Sequence, residues 1–379
     1  MQRNIGEARE GSGRFVVDLL GDPASLLSER IVPHHGSRSF FLSDIWRGAW
    51  MASKPTGAAA WALRETSGAI IGVFGVMKSR SSPVIGRRAA YLHEWGSPEH
   101  DAVYVEDNDL LMTDERDSDA FASAIATAFG IPGIDSVVIR NAAPRLVSAA
   151  ERAAAAAGWS SEIFRQQPKF SIDLDRLRAT GGNYLATRSG SLRAKIERAR
   201  RRYEERGSVE LRAFRRGPER DAAWLRLRRL HEAGGSRRGR TSAFSNPAFR
   251  AFHERLAADH PDVTEILELS AGGAPVASLY FFLHEGRALN YQSGILIEDV
   301  NQLTPGLLAH ALAIEHFRAR GFAGYDLLAG DAEYKRRLAD ESGVLKSILL
   351  ERRSGARAGL RRLLRSLRDI PAKRAERFR

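Results

Sequence analysis

This chain reads as α/β, of the mixed α+β kind: two tandem halves, each a mixed, mostly antiparallel sheet flanked by helices. Three observations carry that reading. At 379 residues the chain is long enough for two ordinary domains, each with its own core, and 43% hydrophobic with 27% charged residues is near the globular average. Short apolar runs bounded by Gly-Gly and Glu-Gly pairs alternate with longer runs of helical spacing. The order of these runs in the first half recurs in the second, although the two halves share little sequence.

In order, SFFLSDIWRGAWMAS predicts an aromatic helix over 39–53. Strands are expected at 59–64, 69–77 and about 89–95, a helix at 118–129, a strand at 134–140 and an Ala-rich helix at 144–157. Gly158-Trp159 ends that helix, and an extended segment runs to about 174. The second half opens with a basic helix, 192–206, whose apolar stripe (Leu192, Ile196, Ala199, Tyr203) has the spacing of one helical face. A helix at 219–232, a Gly/Arg/Ser loop at 234–242 and a helix at 247–258 follow. Three strands are then expected at 263–270, 275–283 and 288–296, with Gly272-Gly273 and Glu285-Gly286 as hairpin turns. The expected divisions are 1–172, 173–353 and a tail, 354–379.

The stretch QLTPGLLAHALAIEHFRARGFAGYDLLAGDAEYK (302–335) is the most informative. Thr304 stands at an N-cap and Pro305 at the first helical position; Gly321 closes the helix. A strand at 325–329 and a second helix bearing Tyr334 and Lys335 come next, and 344–351 reads as a last strand. A Pro-Gly helix start leaves backbone N–H groups without intrahelical partners, and with the helix dipole these favour an anion. Such a start beside a tyrosine suits a transferase that holds a pyrophosphate-bearing donor next to an acceptor.

This order of elements resembles the Gcn5-related N-acetyltransferase (GNAT) arrangement, and more closely the CelD/BcsL-type acyltransferases, which carry two such folds in tandem and are related to the FemAB peptidyltransferases. FFLSDIWRGAW, VEDNDLLM, SLRAKIERARRRYEERG, the tract with Leu230-His231, YQSGILIEDVNQLTPGLL and YDLLAGDAEYK carry the resemblance, over roughly 40–351. It implies a degenerate first domain that shapes the acceptor cleft and a second domain that binds an acyl-CoA or acetyl-CoA thioester. The donor residues are then Gln302, Leu303, Thr304, Pro305, Gly306 and Leu307, which hold only one glycine where the single-domain relatives have a fuller Gly-rich loop. No metal is required.

Each candidate has a plainer reading beside it. Tyr334 is a general acid for a departing thiolate or a ring packed on the sheet. His231 is a general base for an amine or a structural histidine; Glu298 and Asp299 are its rivals. Asp331 is an N-cap or a substrate contact, and Lys335 a solvated cation or a partner for phosphate or carboxylate. The strand bulge, placed near Gly294, supplies oxyanion N–H groups. Arg193 and Arg238 stand in a basic stretch, 176–240, with 20 Arg/Lys against 7 Asp/Glu, which is either a solvated face or a site for an acidic acceptor. The loop around Arg238 reads as a lid over that acceptor.

The chain's net charge of +12 gathers in that stretch and in the tail, where 351–379 holds 11 basic and 3 acidic residues. Leu360, Leu363, Leu364, Leu367 and Ile370 share one face of an Arg-rich helix suited to an anionic membrane surface, or to packing on the body. With no cysteine, no apolar h-region and no window near the ~20 apolar residues that span a bilayer, a cytoplasmic protein is expected, peripheral to the inner face of the membrane. The expected partners are an acyl thioester and an envelope-type amine acceptor, such as a polysaccharide, sugar nucleotide or sphingoid amine, rather than nucleic acid. Two other classes stay open: a FemAB-like aminoacyl-tRNA-dependent transferase and a non-catalytic polyanion-binding protein.

Overall fold

The computed structural model describes residues 14–21, 39–77, 88–112, 117–237, 239, 241–298 and 303–353. The first half supplies strands β1 (Phe15–Leu19), β2 (Ala58–Glu65), β3 (Ile70–Met77), β4 (Ala89–Leu92), β5 (Ser136–Ala142) and β6 (Trp159–Asp173). Its helices are α1 (Asp44–Ala52), α2 (Ser118–Ala128) and α3 (Pro144–Ala156). After α4 (Leu174–Ala179) and α5 (Gly190–Glu204) come β7 (Val209–Phe214), α6 (Gly217–Arg237), α7 (Pro247–Asp259), β8 (Thr264–Ala271), β9 (Ala274–His284) and β10 (Arg287–Ile295). The second half ends with α8 (Pro305–Ala319), β11 (Gly324–Ala329), α9 (Glu333–Leu338) and β12 (Asp340–Arg352).

These strands form one twelve-stranded sheet in the order β1-β2-β3-β4-β5-β12-β6-β11-β10-β9-β8-β7. If β1 to β6 are matched with β7 to β12, the order reads the same from either edge. Each half builds four antiparallel strands and then a short parallel step, Ala89↔Ser136 to Tyr91↔Val138 in the first and Arg287↔Gly324 to Leu289↔Asp326 in the second. Beyond each step the two parallel strands part and leave a fork. The last strands are exchanged: β12 pairs with β5 of the first half, and β6 with β11 of the second. β6 and β12 also pair with each other, antiparallel, from Asp340↔Ser171 to Arg352↔Trp159. The expected division at 172/173 falls at the C-terminal end of β6.

Local chemistry explains the elements. The side chains of Ser43, Asp117, Ser189 and Asn246 accept N–H groups at the starts of α1, α2, α5 and α7. Leu192, Ile196, Ala199 and Tyr203 are all buried, the face predicted for α5. Glu285 and Gly286, with φ of 45° and 71°, make the tight turn between β9 and β10. One apolar cluster lies under α4, α5 and α8, and another under α2 and α3. A third joins the halves: Phe40, Phe41 and Trp46 pack on Phe252 and Phe282, with Phe40 and Phe282 stacked at 4.6 Å.

Several expectations are corrected. β1, β7 and α4 were not anticipated. β4 stops at Leu92 because His93 takes a left-handed backbone, φ 54°. The loop expected at 234–242 is helical as far as Arg237. β12 begins at Asp340, ahead of the expected 344, because the long β6 offers it a partner along its length. The bulge of β10 lies at Tyr291, between Asn290 and Gln292, not at Gly294. Gly294 serves close packing instead. A Cβ there would meet Leu227 O at 2.5 Å, so its hydrogen lets α6 lie directly on β10. The basic amphipathic tail lies outside the described residues, as do Gln302, Asp299 and Arg238.

Candidate functional site

The two forks differ. In the first half a chain segment closes the gap: Asn108 donates from its backbone to Asn141 O (3.0 Å) and from its side chain to Leu92 O (3.0 Å), stitching the end of β4 to β5. His93 Nδ1 pairs with Asn108 Oδ1 at 2.9 Å, and burial pushes this imidazole down to about 4. Behind the stitch, Trp95 stacks on Trp50, and Arg140 pairs with the buried carboxyl of Glu94 at 2.9 Å. The helix that follows this fork, α2, has its N-terminus occupied by the Asp117 carboxylate, which also pairs with Arg14.

Among the described residues the second fork, between β10 and β11, is open. It holds a cavity of about 710 Å³, within the range of ligand sites. One end is formed by Leu303, Thr304, Pro305, Gly306 and Leu307 at the start of α8, facing Ile295, Leu296 and Ile297. Thr304 occupies the N-cap position, but its hydroxyl is buried and makes no hydrogen bond among the described residues. The Thr304 side chain does not cap the first N–H groups of this fifteen-residue helix, and the dipole adds to their pull on an anion. A buried hydroxyl without a partner among the described residues, beside the first amides of a helix, suits an oxyanion.

Tyr334 and Lys335, from α9, line the middle. The Tyr334 ring stacks on His310 (5.5 Å, 21°), and burial pushes its hydroxyl up to about 12, so it stays protonated. His310 is fixed in turn by the Tyr325 hydroxyl, 2.6 Å from Nδ1, and burial pushes its imidazole down to about 3. Lys335 is buried and donates to Ala329 O (2.7 Å) and Leu328 O (3.3 Å), holding the end of β11, where Leu328 has φ 61°. Burial lowers the Lys335 ammonium, against the raising pull of Glu106 and Asp326.

The remaining wall comes from the first half: Tyr104, Glu106, Asn141, Arg165 and Gln167. Glu106, inside the VEDNDLLM segment, accepts the Ala329 N–H at 2.7 Å across 223 positions of sequence. Burial pushes its carboxyl up to about 7; the Ala329 bond and Lys335 pull down, and Asp107 and Asp326 push further up. No local pattern singles out Glu106, because only the exchanged strands bring it to β11.

Of the other residues expected at the site, His231 and Glu298 line the cavity as well. His231 Nδ1 lies 2.7 Å from Ser242 Oγ, and Phe244 presents an edge to its ring. Glu298 takes bonds from Arg206 (2.8 and 3.2 Å) and from the Tyr203 hydroxyl (3.0 Å), tying the rim to α5. Arg193 and Asp331 lie outside the cavity lining. Arg193 donates to the carbonyls of Ala186 and Arg188 at 3.3 Å each, and Asp331 pairs with Arg336 while Ala332 takes the N-cap position of α9. Among the described residues no group of His, Cys, Asp or Glu is placed to hold a metal, and no helix is long and apolar enough to cross a membrane.

Residues 190–336 match the family described as an acetyltransferase (GNAT) domain. Over nearly the whole chain the fold is that of FemX, at 12% identity and a TM-score of 0.51, covering 86% of this chain and 94% of that one. A conserved protein of unknown function from Bacteroides thetaiotaomicron is similar to the same degree (12% identity, TM-score 0.50, 87% and 96% covered). A tandem GNAT protein from the clavulanic acid biosynthesis pathway is more distant (11% identity, TM-score 0.47, 89% and 98% covered). No curated protein matches the chain. The open fork thus lies within the stretch that matches an acetyltransferase (GNAT) domain, and the chain as a whole has the fold of FemX.

Proposed function

We propose that the protein is an N-acyltransferase that moves an acyl group from an acyl-CoA or acyl carrier protein thioester to an amine of a cell-envelope precursor, polysaccharide or lipid. The observation that carries this reading is the open β10/β11 fork, with the uncapped start of α8 at one end, where its twin is stitched shut and its helix capped by Asp117. The donor's pyrophosphate lies against Thr304, Pro305, Gly306 and Leu307, with the thioester running inward between the parted strands. Leu303 lines the cavity just before that start.

At the centre the amine nitrogen attacks the thioester carbonyl carbon and an N–C bond forms. The carbonyl oxygen gains negative charge beside the backbone N–H groups of the Tyr291 bulge. Glu106 takes the amine proton. It serves better than Glu298, whose carboxylate is occupied by Arg206 and Tyr203, and better than His231, whose Nδ1 is engaged by Ser242. The C–S bond then breaks, and the thiolate receives a hydrogen bond from Tyr334 and a proton by way of solvent. Lys335 holds the end of β11 to which Glu106 is bonded.

The test is thiol release from acetyl-CoA, palmitoyl-CoA and acyl carrier protein thioesters across a panel of amines. If no thioester is consumed and none raises the melting temperature, the reading falls. A second reading, transfer from an aminoacyl-tRNA, is favoured by the fold shared with FemX and by the exposed basic face of α5, where Arg198, Arg200, Arg201 and Arg202 are open to solvent. It predicts activity that ribonuclease abolishes and acyl-CoA does not support. Docking of the 359–370 segment on the inner face of an anionic membrane belongs to the first reading. It requires sedimentation with phosphatidylglycerol vesicles that falls as salt rises.

A further inference from the structure

The first-half wall of the cavity is a row of polar side chains in a fixed order. Arg165 and Gln167 line it from one face of β6, and Lys169 follows on the same face beyond the cavity lining. Arg165 donates to Gln167 Oε1 (3.0 Å), and Gln167 donates to Asn141 Oδ1 (3.3 Å). The Asn141 amide is anchored on Val105 O at 2.9 Å, next to Glu106. Lys169 is bound by Asp107 at 2.5 Å, so the Lys169 end of the row is also the Glu106 end. Arg165 is different. It lines the cavity and is exposed, and no carboxylate pairs with it among the described residues.

We propose that this wall is the acceptor subsite, and that it takes an amine bearing a separate anionic group, with the nitrogen beside Glu106 and the anion on Arg165. This rests on the amine-acceptor reading above and names the acceptor class it leaves open. At about 3.3 Å per residue, Arg165 and Lys169 lie roughly 13 Å apart along β6. Allowing for the reach of the arginine, the amine and anion stand several bonds apart. An α-amino acid, whose two groups share one carbon, is too short. An amino sugar phosphate has the right chemistry: hydroxyls for Gln167 and Asn141, a ring for the half-exposed Tyr104, and a phosphate for the guanidinium fork. The phosphate is carried by a soluble sugar or by a lipid.

Binding is measured by calorimetry on the full chain without donor, using glucosamine 6-phosphate, glucosamine and glycine, with phosphatidylethanolamine vesicles as the lipid arm. Glucosamine 6-phosphate is expected to bind at least tenfold more tightly than glucosamine or glycine, and Arg165→Gln to bring it within about twofold of glucosamine. Vesicle binding that Arg165→Gln abolishes, with no preference among the soluble amines, assigns the phosphate to a lipid. Equal affinity for the three soluble amines together with no Arg165-dependent vesicle binding overturns the proposal, as does a phosphate preference that survives in Arg165→Gln. An unchanged melting temperature in Arg165→Gln and a matching loss in Gln167→Ala guard against misfolding. Because donor is absent, retained phosphate-selective binding without thiol release sinks the acyl-transfer reading and leaves the subsite standing.

Discussion

At the scale of single residues, the proposed transfer turns on a carboxyl, Glu106, that titrates near neutral pH. Glu106 must be ionised to accept a proton, and its folded value of about 7 lies above the ordinary range because it is buried. Activity as kcat/KM is therefore expected to fall with falling pH below an apparent pKa near 7. Glu106→Gln removes that limb and lowers the rate by roughly 10²–10⁴-fold, the usual worth of a general base; a variant that keeps the limb assigns it to another group. The effect on stability has the opposite sign. A carboxyl raised in the folded state supports folding most below about pH 4.5, and that support is lost as pH rises through 7, so Glu106→Gln flattens the decline in melting temperature over this window. Tyr334→Phe keeps the ring on His310 and loses only the hydroxyl; kcat is expected to drop with the melting temperature unchanged, which stopped-flow thiol release and calorimetry together report. Tyr334 and Lys335 were legible in the sequence because they follow a helix–strand–helix signature. Glu106 was not, since its importance comes from a neighbour 223 positions away.

At the scale of elements, α2 and α8 are the same helix in two copies with opposite starts. Asp117 supplies α2 with a carboxylate of its own, whereas at the start of α8 the N-cap residue Thr304 makes no side-chain cap. Gly306→Asp should give α8 the same internal anion. Its Cβ would meet the Ile295 side chain at 3.4 Å, an ordinary contact, and a carboxylate in the first turn stabilises a helix by roughly 0.3–1 kcal/mol. The expected result is an unchanged or raised melting temperature with a KM for thioester at least tenfold higher; an unchanged KM removes the pyrophosphate from this helix start. The long helices and inner strands were readable from periodicity and turn residues, as with Leu192, Ile196, Ala199 and Tyr203 on α5. The edge strands were not. β7, VELRAF, puts Glu210 and Arg212 between its apolar residues and so falls short of the apolar density of an inner strand; β1, FVVDL, has that density but is a five-residue edge strand that leaves Val16 and Leu19 exposed.

At the scale of the molecule, the two-part grammar was legible but the exchange of last strands was not, because a strand's sequence records how it is buried and not which half it pairs with. The exchange makes one sheet of both halves. Thermal and urea unfolding are expected to give a single coincident transition, and 174–353 expressed alone, with β11 stripped of β6, to aggregate or stay unfolded; two separated transitions would mean that the halves are independent. The same exchange sets a timetable for synthesis. β5 is complete once residue 142 is added, yet its outer edge stays bare until β12 is made at 340–352. At the usual 5–20 residues per second, that edge waits roughly 10–40 s for its partner. The newborn first half therefore depends, for that interval, on chaperones or on its own charged side chains to keep neighbours away, and the strand that completes it is the last one of the sheet to be translated.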